Sequence, residues 1–239
     1  MKKTGLSYSP LLLITGTRKG LGYYLANYYC ERGFQVIGCS RQPAEIDYQN
    51  YQHFCVDIVD EMQVKKMFSW IRKTFGQLDI LINNAAINPL ISLSLMTPVE
   101  VVLKALNVNF VGTFLTSREA IKLMRKGSFG RIINFGSMAV KHEVEGEAIY
   151  TASKAAVSAY SRVLAKEIYS LGITCNVVSP SAIETDLMAA VDNDALKDVL
   201  KRNAVKNLGQ MEDISNIIDW LIKPESSAIT GQVIYQGGV

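Results

Sequence analysis

Short apolar runs alternate with amphipathic stretches along the whole chain, and that alternation limits the fold more than any other feature. Leu11, Leu12, Leu13 and Ile14 read as a buried strand, and Leu21, Tyr24, Leu25 and Tyr28 behind them recur at helical spacing. Further strands are expected at 34–39, 51–56, 78–82, 131–135, 173–178 and 232–235. Helices are expected at 60–74, with Met62, Val64, Met67, Phe68 and Ile71 as the apolar side, then from about Pro98, at 149–170 and at 213–222. The stretch 186–203 reads as one or two exposed helices. Strands apolar on both faces and alternating with helices imply βαβ units. Right-handed crossovers then give an α/β fold: a doubly wound parallel sheet of about seven strands, helices on both faces, and a ligand crevice at its carboxyl edge. With no linker, repeat or low-complexity tract, residues 1–239 are expected to form a single domain. Its least core-like segment, at about 184–209, is expected to form a substrate lid on the rim.

The totals exclude several function classes. Net charge is +3, from 25 Lys and Arg against 22 Asp and Glu, without strong clustering. Neither nucleic acid nor a membrane surface is expected as a partner. Cys30, Cys39, Cys55 and Cys175 form no C-x-x-C pair and are expected to be reduced thiols in a cytoplasmic protein. His53 and His142 lack partners at ligand spacing, so no metal site is expected. Leu6-Ser7-Tyr8-Ser9-Pro10 interrupts any apolar run near the start, where a signal peptide needs about 7–15 such residues. No segment reaches the roughly 18 uninterrupted apolar residues of a membrane span.

Directly after the first strand comes Thr15-Gly16-Thr17-Arg18-Lys19-Gly20-Leu21-Gly22, opening a helix. Glycines at 16, 20 and 22 let the backbone approach a pyrophosphate lying at the helix N-terminus. The pattern T-G-x-x-x-G-x-G resembles that of the short-chain dehydrogenase/reductase family, which implies a Rossmann fold. An NAD site usually ends its second strand in Asp or Glu, which accepts from the ribose 2′-hydroxyl. Here the strand ends Cys39-Ser40-Arg41, with Ser40 where NAD-preferring members carry the acid. Arg41 could bind a 2′-phosphate, and Lys19 falls where NADP-preferring members often carry a second base, with Arg18 as a further candidate. The coenzyme expected is NADP(H). The resemblance also places Asp57 and Ile58 at the adenine, although Asp57 reads equally as a strand-end cap. Asn83-Asn84-Ala85-Ala86 resembles the family's N-N-A-G, bringing Asn84 and Ala85 against the coenzyme, with Ala86 in place of Gly. Asn83 is expected to tie neighbouring strands together.

Tyr150 and Lys154 stand four apart on one face of a helix. A phenol is a poor base at neutral pH, and a neighbouring ammonium favours its phenolate. The resemblance makes Tyr150, Lys154, Ser137 and Asn109 the catalytic group. Ser137, in Asn134-Phe135-Gly136-Ser137, would hold the substrate oxygen. Lys154 would also bond the nicotinamide ribose. Asn109 would bend its helix and hold a water relaying protons to Lys154; Asn107 is the second candidate for that role. In Ser179-Pro180-Ser181-Ala182-Ile183-Glu184-Thr185, Pro180, Ile183 and Thr185 would meet the nicotinamide carboxamide, and Ser181 replaces the family's usual Gly.

The implied reaction is hydride transfer reducing a ketone to a secondary alcohol, with Tyr150 handling the hydroxyl proton. Gly130-Arg131-Ile132-Ile133-Asn134 and 172–178 most resemble the 3-oxoacyl-(acyl-carrier-protein) reductase branch, implying a carbonyl substrate that includes a thioester on a carrier. Leu171 departs from the basic residue that carrier-dependent members often place before Gly172. A ketoreductase for a sugar, polyketide or other small alcohol is therefore an alternative. Glu143, Glu145 and Glu147 in loop 138–148 would discourage a highly anionic substrate nearby. The alternative from another class is a nucleotide-binding sensor or scaffold without turnover. The resemblance further implies pairing of helices 98–126 and 149–170 into a homotetramer, with Ala156, Val157, Tyr160, Val163 and Leu164 compatible with it.

Overall fold

The computed structural model describes residues 9–89, 91–183 and 200–238. Its strands are β1 Leu11–Thr15, β2 Gln35–Ser40, β3 Tyr51–Cys55, β4 Ile80–Asn83, β5 Gly130–Phe135, β6 Ile173–Ser179 and β7 Val233–Tyr235. They form one parallel sheet in the order β3-β2-β1-β4-β5-β6-β7. The doubly wound sheet expected from the alternation is therefore what the chain builds. Strand β1 shows why its sequence is uninterrupted Leu and Ile. Leu11 and Leu13 pack into one core with Val64, Met67, Phe68 and Leu164, while Leu12 and Ile14 pack into the other with Leu25, Ile214 and Ile218. A strand covered on both faces has no polar side to show.

Helix α1 spans Gly20–Glu31 and α2 spans Glu61–Thr74. The Asp60 carboxylate caps α2 by accepting from the Met62 and Gln63 amides at 2.9 and 3.0 Å. Met62 does not belong to the apolar side of this helix. It is 63% exposed, whereas Val64, Met67, Phe68 and Ile71 are buried. Those four repeat at i, i+3, i+4 and i+7, and Met62, two residues earlier, is turned to the far side.

The long helix expected from Pro98 has three parts: α3 Val99–Leu106, a π-turn Asn107–Val111 and α4 Gly112–Met124. By length and apolarity this run could cross a membrane. Asn109, Thr113, Thr116 and Ser117 within it are buried in the protein interior instead. Thr116 donates to Asn83 Oδ1 at 2.7 Å, and Asn83 Nδ2 donates to Ser117 at 2.9 Å and Asn134 Oδ1 at 2.8 Å. Asn134 Nδ2 continues the chain to Ser161 at 2.8 Å. This buried network joins β4, β5 and α4 to α6, Ala148–Ile168, and fixes the strand ends that carry the site. A short helix, α5 Ala139–His142, precedes α6, and Met211–Leu221 covers the opposite face of the sheet with α1.

Candidate active site

The chain order of the sheet reverses between β1 and β4, and a cleft of about 750 Å³ opens there at the strands' carboxyl ends. One end is bordered by Gly16, Arg18, Lys19, Gly20 and Leu21 from the glycine loop, Ser40 and Arg41 beyond β2, and Asp57 and Ile58 beyond β3. Asn84 and Ala85 follow from β4, then Ser137, Tyr150 and Lys154, and finally Pro180 and Ile183 beyond β6. Thr185 and most of the expected helices at 186–203 lie outside the described residues. Gly22 stands behind the cleft wall, where a Cβ would overlap the Gly16 carbonyl oxygen and the Asn84 amide. Close seating of α1 on the loop requires it.

Thr15, which sequence reasoning left unassigned, clasps the two sides of the switch point. Its hydroxyl accepts from the Asn84 and Ala85 amides at 3.1 and 3.0 Å, and Asn84 Nδ2 donates back to the Thr15 and Gly16 carbonyls at 2.9 and 3.2 Å. Asp57 borders the cleft and also closes the turn after β3, accepting from the Val59 amide at 3.2 Å. The ion pairs among the described residues lie on α2 and α4. Arg18, Lys19 and Arg41, all exposed, border the cleft and form none of these pairs. A cradle closed by glycine at the strands' carboxyl ends fits a dinucleotide.

At the other end Lys154 is buried, and its ammonium donates to the Phe135 carbonyl at 2.9 Å while lying 5.9 Å from the Tyr150 ring centre. Burial holds this ammonium down at about 8. Burial also pushes the Tyr150 phenol up; the Ser137 hydroxyl, bonded to it, pulls it down, and Glu147 raises it further. Burial therefore sets the direction for both groups, and Lys154 is engaged by a backbone carbonyl rather than by the phenol. The Ser137 hydroxyl also accepts from the Ala139 amide at 3.1 Å, which sets its orientation.

Asn109 is buried one residue behind the cleft. Its Oδ1 accepts from the Ile87 amide at 2.8 Å, and its Nδ2 donates to the Ile87 carbonyl at 2.9 Å and to Ser153 at 2.9 Å. The helix is distorted at this residue, as expected, and the side chain locks Ile87, a cleft residue, to α6 through Ser153. Ser181 shows no positive φ, so glycine is not required there. Its hydroxyl accepts from Asn203 at 2.6 Å, turned into the fold's own bonds. His142 and Glu147 also border the cleft beside Tyr150; the acidic loop was visible in the sequence, but His142 gave no signal.

Fold and site together define a nicotinamide-dependent oxidoreductase, and the chain belongs to the short-chain dehydrogenase/reductase family. Residues 16–238 match the family described as Enoyl-(Acyl carrier protein) reductase. Among its relatives, the chain is 32% identical to the 3-oxoacyl-(acyl-carrier-protein) reductase of Escherichia coli (strain K12), covering 95% of this chain and 96% of that one. It is 30% identical to a short-chain type dehydrogenase/reductase of Picea abies, over 95% of this chain and 90% of the relative. The solved structure of ElxO with NADP bound superposes with a TM-score of 0.87 at 29% identity, covering 95% of this chain and 97% of that one.

Proposed function

We propose that this protein is an NADPH-dependent ketoreductase whose substrate class is a 3-oxoacyl thioester, including one carried on an acyl carrier. One observation carries the coenzyme reading: Lys19 and Arg41 border the adenosine end of the cleft, and Ser40 stands where a carboxylate would repel a 2′-phosphate. The substrate class is supported by the 32% identity to a 3-oxoacyl reductase along nearly the whole chain. When bound, the nicotinamide supplies hydride to the carbonyl carbon. Gly16, Gly20 and Leu21 would hold the pyrophosphate, Asp57 and Ile58 the adenine, and Pro180, Ile183 and Thr185 the carboxamide side. Ser137 donates a hydrogen bond to the substrate oxygen as negative charge develops there. Tyr150 gives its proton to the same oxygen. In the reductive direction Tyr150 acts as the acid. The Lys154 ammonium stabilises the phenolate left behind. Asn109 anchors the wall next to Tyr150, and a water held there would return a proton through Lys154.

A second reading, reduction of a small hydroxylated ketone, is favoured by Glu147. Its carboxyl borders the cleft three residues before Tyr150, and burial raises it. We also infer one domain with a rim segment over the cleft, a cytoplasmic setting and a homotetramer paired through α4 and α6. Phe114 and Val163 present apolar side chains on those helices. Coenzyme oxidation by the purified protein, with NADPH or NADH against a 3-oxoacyl thioester, an enoyl thioester and an aldose panel, tests the proposal. NADPH consumption with the 3-oxoacyl thioester supports it. Preference for NADH overturns the reading of Lys19 and Arg41, and preference for an aldose selects the second reading.

A further inference from the structure

The two loops that bear the cations are joined by a chain of side chains that the reaction itself does not use. Thr17, between Gly16 and Arg18, has its hydroxyl 3.0 Å from the Tyr51 hydroxyl. Tyr51 lies 2.8 Å from His53 Nδ1, and His53 Nε2 lies 3.1 Å from the Gln42 carbonyl and 3.2 Å from the Ser40 hydroxyl. Ser40 donates to the Gln42 carbonyl at 2.6 Å, closing the turn that presents Arg41. One tautomer satisfies every link: Thr17 donates to Tyr51, Tyr51 donates to Nδ1, and Nε2–H donates to Gln42. Strand β2 makes room for the chain by carrying Gly38 in its middle. A Cβ there would overlap the Tyr51 hydroxyl and lie 2.5 Å from that of Thr17. Glycine in a strand interior otherwise weakens it, so its presence marks a close approach. Tyr51 and His53 are neighbours on β3 facing the same side, two residues apart, which brings both rings over the β2 end.

We infer that Thr17, Tyr51 and His53 are positioning residues for the nucleotide's 2′-phosphate: they hold the Arg18–Lys19 loop and the Arg41 turn at the spacing a phosphate bridges, without touching it themselves. Charge-assisted bonds are sensitive to donor placement. A loosened turn therefore weakens 2′-phosphate binding while leaving the rest of the nucleotide's contacts in place. This rests on the NADP(H) reading above.

The test is calorimetric binding of adenosine 2′,5′-bisphosphate and of AMP to the whole protein, wild type beside Tyr51→Phe, His53→Phe and His53→Gln. Wild type is expected to bind the bisphosphate more tightly than AMP. Tyr51→Phe and His53→Phe are expected to lose about tenfold in affinity for the bisphosphate and to leave AMP within about twofold. His53→Gln keeps one donor and one acceptor, and recovers most of the loss. Equal weakening of both probes, or weakening of neither, overturns the inference while the NADP(H) reading stands. A wild type that binds both probes equally overturns that reading and the inference together.

Discussion

In the proposed mechanism Tyr150 and Lys154 carry the chemistry, and burial shifts both from their ordinary protonation equilibria. Tyr150→Phe keeps the ring and removes the proton, so turnover should fall roughly 100- to 10,000-fold while coenzyme affinity changes little. Steady-state rates beside a fluorescence titration of bound NADPH check both halves. Lys154 titrates at about 8 in the folded chain, against 10.5 for a free side chain. Between those values the unfolded chain holds a proton that the folded one has released, so stability rises with pH across that window. Below about 8 both states are charged, and the burial penalty is borne in full. Lys154→Met should therefore be inactive yet more stable than wild type at pH 7, by up to about 3 kcal/mol. That advantage should shrink as the pH passes from 8 toward 10.5, as urea unfolding at several pH values would show. The identities of Ser137, Tyr150 and Lys154 were legible from spacing and resemblance. The direction of the Tyr150 shift was not, because burial depends on what covers a group rather than on what lies four residues away.

At the scale of elements, the π-turn Asn107–Val111 shows how one side chain shapes a helix to serve a cleft. Asn109 satisfies both backbone groups of Ile87, so Asn109→Ala leaves a part-buried amide and carbonyl without their side-chain partner. A loss of about 1–3 kcal/mol in unfolding free energy is expected, with turnover reduced more than coenzyme affinity. An asparagine inside an apolar helix signals a reason for being there, but that signal fell on Asn107 and Asn109 alike, and only the family resemblance chose Asn109. Its partners were not findable, because Ile87 offers only backbone and backbone partners leave no trace in side-chain patterns. Thr15 escaped notice on the same ground, since its hydroxyl serves the amides of Asn84 and Ala85. Ser40→Asp should reverse coenzyme preference, weakening NADPH and strengthening NADH by about tenfold or more. Michaelis constants for the two coenzymes report it.

For the whole molecule, the β–α alternation was enough to anticipate the sheet. Leu11 to Ile14 has no polar face to place anywhere but between two helical layers, and right-handed crossovers leave few strand orders. The same rules put the cleft at the carboxyl edge of the sheet before any side chain is considered, and the strand order then places it between β1 and β4. The assembly is less legible, because Val163 and Phe114 read in sequence like residues of the interior, where Val157 and Leu164 in fact lie. If α4 and α6 pair across subunits, Val163→Glu should sediment as a smaller species than wild type; an unchanged sedimentation coefficient would remove those helices from the interface. The central claim is transfer of hydride to a ketone carbon with Tyr150 supplying the proton, and isotope transfer measures it directly. The protein is given NADPH carrying deuterium on the transferred position and, in separate reactions, a 3-oxoacyl thioester or an enoyl thioester, with the Tyr150→Phe variant alongside. Deuterium at the new carbinol carbon, formed by wild type and nearly absent with the variant, is the predicted result. Label found only in a saturated acyl product from an enoyl thioester, or equal labelling by the variant, would contradict it.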